Sequence, residues 1–301
     1  MPASTCEQSI PQISRLPAWF KQEIPDIEKI KEMKTMFRGS RLHTVCESAH
    51  CPNLGKCWGQ GVATFMILGG TCTRACRFCA VPAGRPESIN QHEPDQVALA
   101  VQELKLRYVV ITSVARDDLP DEGANHFAQT IAAIRELNPQ IKIEVLIPDF
   151  SVKIENLRAV VQAGPEVVSH NIETVARLSP KVRPQADYAR SLNVLKMFKQ
   201  LNPVIFTKSS LMVGLGETQP EIMEVMKDLK ANDCDILTIG QYLAPSHSKR
   251  HLPVERFYTP EEFEYLKRIG KDLGFKHVIS GPLVRSSYIA EEGYKECVGE
   301  A

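Results

Sequence analysis

From residue 62 onward the chain alternates between two hydrophobic periods. Short apolar runs, most of them rich in Val and Ile, fall at residues 62–68, 108–112, 143–147, 166–170, 205–213 and 236–240, with a shorter seventh at 276–280. Near-continuous apolar runs of this length predict strands buried on both faces. Between them the apolar residues recur at helical spacing: Val97, Val101 and Leu104; Phe127, Ile131 and Ile134; Ile154, Leu157 and Val161, ending near Gly164; Leu192, Leu195 and Phe198; Ile222, Met226 and Leu229. Each set predicts a helix with one buried stripe. Thr218 with Glu221 three residues on is a capping box for the last of these. A further helix is predicted over 262–273, behind Thr259-Pro260 and stopped by Gly274. This alternation is that of right-handed βαβ units on a parallel sheet, an α/β fold. Six units over residues 61–282 predict a partial (β/α)6 barrel of the TIM type. Ligands in such folds gather at the C-terminal ends of the strands.

Two flanking segments lack that alternation. Residues 1 to about 24 are rich in Pro, Ser and Gln and read as an irregular arm; Ile27, Ile30, Met33 and Phe37 then predict a helix over 25–38, stopped by Gly39. The segment to residue 60 forms an N-terminal extension, and 283–301 a C-terminal segment whose Glu- and Gly-rich end is expected to be mobile. The chain has 301 residues, 43% hydrophobic and 24% charged, with a formal net charge of +0, which suits a globular domain and argues against a nucleic-acid partner that relies on a basic field. No run reaches the roughly 18 apolar residues of a membrane span, and the first twenty residues lack the apolar core of a secretory leader. The expected setting is the cytoplasm, without a membrane partner.

Cysteine changes the picture. Of nine cysteines, six fall between Cys46 and Cys79. In a reducing compartment such a cluster reads as metal ligation, not as a disulfide framework. Cys72, Cys76 and Cys79 have C-x3-C-x2-C spacing in a loop that follows the first strand and Gly69-Gly70. Three thiolates close together can hold a four-iron four-sulfur cluster, which normally takes four, and leave one iron open to an outside molecule. Cys46, Cys51 and Cys57 form a second triad at C-x4-C-x5-C spacing, in a stretch that Pro52, Asn53 and Gly55 predict to be a loop. His50 or His43 is an alternative fourth ligand there, for zinc. Cys234 precedes a buried strand and reads as a small core residue.

The C-x3-C-x2-C motif after the first strand of a partial barrel, with Phe78 before its last cysteine, resembles that of the radical S-adenosylmethionine (SAM) enzymes. Over residues 40 to 290 the chain is similar to the lipoyl synthase family among them. The resemblance rests on the N-terminal triad, T-S-V-A-R-D-D-L at 112–119, H-N-I-E-T at 170–174, V-R-P at 182–184, K-S-S-L-M-V-G-L-G-E at 208–217, G-Q-Y-L at 240–243 and R-S-S-Y at 285–288. Ala115 stands where many members carry Asp, and Ile289 where many carry His.

The resemblance implies two 4Fe–4S clusters. Cys72, Cys76 and Cys79 would hold the one whose open iron binds SAM and whose electron cleaves it to a 5′-deoxyadenosyl radical. Cys46, Cys51 and Cys57, with Ser287 as fourth and catalytic ligand, would hold an auxiliary cluster that is the sulfur source. A serine oxygen is a hard ligand, poorly matched to such iron, so that iron would leave readily. Two sulfurs would enter carbons six and eight of a protein-bound octanoyl chain. Thr112, Ser113, Asn171, Glu173, Arg183 and Lys208, at strand ends, are the candidates for the SAM pocket. The partners implied are octanoylated lipoyl domains of 2-oxoacid dehydrogenase E2 subunits and glycine-cleavage H protein. An electron donor such as ferredoxin or flavodoxin and an iron–sulfur carrier are implied as well. The competing readings are another sulfur-inserting or methylthiolating radical SAM enzyme, and a binding module whose cysteines are purely structural.

Overall fold

The computed structural model describes residues 16–21, 26–39, 42–49, 51–59 and 64–300. Its centre is one sheet of eight strands in chain order: β1 (His43–Thr44), β2 (Thr64–Ile67), β3 (Tyr108–Ser113), β4 (Lys142–Leu146), β5 (Val167–Ser169), β6 (Phe206–Val213), β7 (Ile236–Gln241) and β8 (His277–Gly281). Strands β2 to β8 pair in parallel, each with the next. All seven predicted runs are therefore strands, with ends shifted by a residue or two; positions 62 and 63 of the first lie outside the described residues. Among the described residues the sheet has β1 and β8 as its edges and does not close on itself. The short β1, which pairs antiparallel with β2 through His43–Met66 and Thr44–Phe65, has no counterpart in the sequence reading.

Helix α4 (Glu93–Glu103), α5 (Ala124–Leu137), α6 (Ile154–Gln162), α8 (Tyr188–Leu201), α9 (Gln219–Ala231) and α10 (Pro260–Asp272) fill the six crossovers, with a one-turn α7 (Ser179–Val182) before α8. Both predicted starts hold: Thr218 with Glu221 caps α9 and Thr259 with Glu262 caps α10, each as a reciprocal box. Most positions of the stripes predicted on these helices are buried, including Val97, Phe127, Leu157, Leu195 and Met226, while Leu104, Ile154 and Leu192 are half-buried; the buried ones make one continuous core with the outward faces of the strands. Helix α1 (Ile27–Gly39) adds Met33 and Phe37 to it, with Phe37 between Trp58 and Phe65.

Two expectations are corrected. The stretch around the second triad is helical in part: α2 (Val45–Ser48), capped by Thr44 Oγ1 accepting from the Glu47 N–H at 3.3 Å, and α3 (Leu54–Gly59). Pro52 and Asn53 make only the turn between them, because six residues from Leu54 suffice for a helical turn. The Glu- and Gly-rich tail forms helix α11 (Ala290–Val298). Ala290 and Tyr294 are buried against Val110, Val167 and Ile236, and that burial outweighs the polar composition. Helix α11 packs on β8 and β3, strands that do not pair with each other, and its cluster includes Tyr108, Val167, Phe206 and Ile236, the first residues of β3, β5, β6 and β7, so it covers the N-terminal end of the barrel. Its Tyr294 ring lies 6.0 Å from Tyr108 and 5.9 Å from Phe206, the first residues of β3 and β6.

Candidate active site

The radical-motif loop begins where β2 ends at the mouth of the barrel. Leu68 and Gly69 both take left-handed backbone, φ 70° and 93°, and turn the chain over the strand ends. From there its segments are bonded to one another and to the chain beyond β3, to α7 and its neighbour Gln185, and to residues 250–251. The Cys72 N–H donates to Pro82 O at 2.8 Å, and the Thr73 N–H to Ala115 O, beyond β3, at 3.1 Å. The Ala75 N–H donates to Gln185 Oε1 at 2.8 Å and the Arg77 N–H to Val182 O at 2.9 Å. His251 Nε2 donates to Cys79 O at 3.0 Å and Arg250 to Val81 O at 2.6 Å. The Cys72 sulfur accepts the N–H groups of Arg74 and Ala115 at 3.4 and 3.3 Å. Such donors to a cluster sulfur tune the potential of an iron–sulfur centre. Burial pushes the Cys76 thiol up to about 12, opposed by the Arg183 charge and assisted by Cys79, Glu173 and Cys72. Burial raises Cys79 as well.

In the second triad Cys46 sits on α2, Cys51 in the turn and Cys57 on α3. Burial pushes Cys57 up to about 12, and the charges that Cys46 and Cys51 would carry add to the shift. Cys51 is raised by burial and held back by the Arg285 charge. The thiols of each triad thus feel one another. Yet no three His, Cys, Asp or Glu side chains among the described residues converge on a single ion. Raised thiols also mean that metal must displace protons to bind. His50 lies outside the described residues, and His43 packs its ring beside Gly70 in the other loop.

The R-S-S-Y segment reaches the second triad across more than two hundred residues of chain. Asn53 Nδ2 donates to Leu283 O at 2.7 Å, and Lys56 Nζ to the Tyr288 hydroxyl at 3.0 Å. A turn closed by the Tyr288 N–H on Arg285 O at 3.0 Å carries Ser286 and Ser287 between these anchors. Gly240 makes room for the approach, since a Cβ there would lie 2.1 Å from the Val284 carbonyl oxygen. Gly240→Ala is therefore expected to cost about 1–3 kcal/mol by overpacking. It should also lift the 283–285 segment off the triad, seen as faster amide exchange at 283–288 than at β4.

The candidate SAM-pocket residues divide into two groups. Ser113, ending β3, and Asn171, just past β5, bury Oγ and Oδ1 without a hydrogen-bond partner among the described residues. Asn171 Nδ2 donates to Glu173 Oε1 at 3.0 Å. Glu173 is held at φ 67° by a bridge to β6, and burial raises its carboxyl against the pull of Arg183 and Asn171. The other three are engaged within the chain. Thr112 Oγ1 donates to Leu146 O at 2.8 Å. Arg183 Nη1 donates to Asn171 O, Ile172 O and Ser191 Oγ at 3.0–3.2 Å. Lys208 Nζ pairs with Glu144 at 2.9 and 3.1 Å, both residues 1% exposed. The bond links β6 to β4, two strands away, so it runs across the concave interior.

His170 is fully enclosed, with Nδ1 donating to Ile147 O at 2.9 Å and Nε2 accepting from Ser191 Oγ at 3.0 Å. Burial first, then the Arg183 charge, lowers it to about 4. The unfolded chain then takes up a proton near pH 6.5 that the folded chain refuses until about pH 4. Stability from this group is whole above pH 6.5 and falls by ~3 kcal/mol as pH drops to about 4. Urea denaturation of the metal-free chain at both pH values checks this, and His170→Asn should flatten the difference.

Sequence reading missed several of these partners. Asp149, which pairs with Arg74 of the radical loop at 2.7 Å, ends the I-P-D run just after a predicted strand, and that position was the available signal. Glu144 is hidden inside an apolar strand, and nothing local marks the 249–251 segment that braces Cys79 and Val81.

An open parallel barrel with a three-cysteine loop at its mouth is the architecture of the radical SAM enzymes. The family model described as "Radical SAM superfamily" matches residues 66–229, and that of the "N-terminal domain of lipoyl synthase of Radical_SAM family" matches residues 5–51. The chain is 55% identical over 279 residues to a lipoyl synthase of Caldanaerobacter subterraneus subsp. tengcongensis, covering 93% of this chain and 97% of that one. It is 52% identical over 290 residues to a lipoyl synthase of Staphylococcus epidermidis, covering 96% and 95%. The crystal structure of HydG, a maturase of the FeFe hydrogenase, shares the fold with a TM-score of 0.57 at 14% identity, over 91% of this chain and 61% of that one. The chain belongs to the lipoyl synthase family, sulfur-inserting enzymes of the radical SAM class. Among the described residues no helix is long and apolar enough to cross a membrane.

Proposed function

We propose that the chain inserts sulfur at carbons six and eight of an octanoyl group carried on a protein lysine, using two 4Fe–4S clusters. The observation that carries the second cluster is the anchoring of the R-S-S-Y turn on the second triad by Asn53 and Lys56. In this reading Cys72, Cys76 and Cys79 hold the cluster that binds SAM, and Cys46, Cys51, Cys57 and Ser287 hold the sulfur-donating one. When bound, SAM and the first cluster supply a one-electron reductive cleavage that the side chains themselves lack.

The chain's own residues orient and enclose. The unpartnered Ser113 Oγ and Asn171 Oδ1, with the Glu173 carboxyl, receive the polar groups of SAM. Thr112 and Arg183 fix the backbone that presents them, and Lys208 with Glu144 supports the interior beneath. The proposed partners are the octanoylated E2 and H-protein domains, a small electron-carrying protein such as ferredoxin or flavodoxin, and an iron–sulfur carrier; the proposed setting is the cytoplasm. The reading is tested by incubating the reduced, reconstituted protein with an octanoyl-lysine peptide and SAM. The peptide should gain two sulfur atoms, and SAM cleavage that leaves its mass unchanged would sink the proposal.

A further inference from the structure

Arg74 lies inside the radical loop, between Cys72 and Cys76, yet only 8% of its surface is exposed. Its Nε and Nη2 donate to both oxygens of Asp117 at 2.6–3.1 Å, and Nη2 also donates to Asp149 Oδ1 at 2.7 Å. Asp117 is about one-third exposed, whereas Asp149 is wholly buried, with Arg190 3.6 Å from its other oxygen.

Asp149 owes its position to an unusual piece of backbone. It heads a single turn, Phe150–Val152, in which three successive non-glycine residues have φ of 43°, 49° and 56°. Left-handed backbone is disfavoured for any L-residue and most of all for a β-branched one such as Val152. Strain of this kind persists only where its surroundings over-determine it. Here they do: Asp149 Oδ1 accepts the Ser151 N–H at 3.2 Å, and Asp149 O accepts the Val152 N–H at 2.8 Å. The Phe150 ring is fully buried, edge-on to Phe127 at 6.1 Å. What the strained turn delivers is one desolvated carboxylate aimed at the guanidinium of the metal loop.

We propose that the left-handed turn at 149–152 is a positioning device: by fixing Asp149 it locks Arg74, and through Arg74 it sets the Cys72–Cys76 span before any metal arrives. The inference rests on the proposed function only in taking this loop to hold a cluster, and its test needs neither substrate nor sulfur insertion. Asp149 and Arg74 are positioning residues here.

The experiment is amide hydrogen exchange on the metal-free chain, comparing wild type with Asp149→Asn. Cys72, Thr73, Ala75 and Arg77 all have bonded amides, so the loop reports its own opening. Loss of a buried charge-assisted bond is expected to speed exchange at 72–77 about tenfold or more, with β6 and β7 unchanged. After reconstitution the midpoint potential of the Cys72–Cys79 cluster should also shift. Loop exchange at the wild-type rate, or acceleration spread evenly over the barrel, overturns the proposal. Should Asp149→Asn not fold, Arg74→Gln breaks the same bond from the loop side and is read by the same two measurements.

Discussion

Lys208→Met lowers the stability of the metal-free chain by about 3–5 kcal/mol, the expected cost of stranding one member of a buried ion pair. Lys208 and Glu144 face each other inside the barrel, and both are 1% exposed. Glu144 also accepts from the Tyr108 hydroxyl at 2.7 Å and from Ser169 Oγ at 3.1 Å. After the substitution the carboxylate keeps those two donors and loses the Lys208 cation. Lys208→Met with Glu144→Gln removes both charges, and most of the lost stability should return, since an apolar or neutral pair often matches a buried ionic one. Denaturant unfolding of the two singles and the double gives the coupling directly. A single-variant loss below about 1 kcal/mol would mean that water reaches the pair and screens it. The double variant also separates two roles for Lys208. If its charge contributes to SAM binding, affinity falls even where stability is restored; if it supports the interior alone, affinity is kept.

How much of this could be read from the chain depends on whether the cause is local. The seven parallel strands and their crossover helices were legible because each is written as its own run of apolar residues, and the capping box at Thr218 because it needs only four residues; at Thr259 the following proline marked the helix start, and the box with Glu262 is added by the structure. Both cysteine triads were visible as spacing. The bonds that join them to the rest were not. Asn53 meets Leu283, and Arg74 meets Asp149, because the barrel brings distant strand ends to one mouth, and no window of sequence encodes that meeting. The tail was misread for the same reason: its composition is polar, but Tyr294 and Ala290 bury against strands far upstream. Lys208 was legible as a cation at a strand and illegible as half of a pair, since Glu144 lies in another strand with apolar neighbours on both sides.

The other large effect separates the two triads. Cys76→Ala is expected to lose about four irons per chain and to abolish SAM cleavage altogether, because the loop then keeps only Cys72 and Cys79 of its three thiols. Cys57→Ala should also lose about four irons but leave SAM cleavage intact, giving 5′-deoxyadenosine while no sulfur reaches the octanoyl peptide. The asymmetry follows from the loops having separate supports: Cys72–Cys79 hangs on β3, α7 and the 249–251 segment, Cys46–Cys57 on α2, α3 and the R-S-S-Y turn. Ser287→Ala sits between them. Its turn stays anchored through Lys56 to Tyr288 and Asn53 to Leu283, so the proposed second cluster is expected still to assemble on its three cysteines. What the variant would lack, on the proposed reading, is the hard oxygen that makes one iron easy to release. Iron content and SAM cleavage near wild type, with sulfur insertion down at least a hundredfold, is the expected signature, corresponding to about 3 kcal/mol or more of lost transition-state stabilisation. Full insertion by Ser287→Ala would remove the serine from the mechanism, and parallel loss of SAM cleavage in Cys57→Ala would reduce the two sites to one.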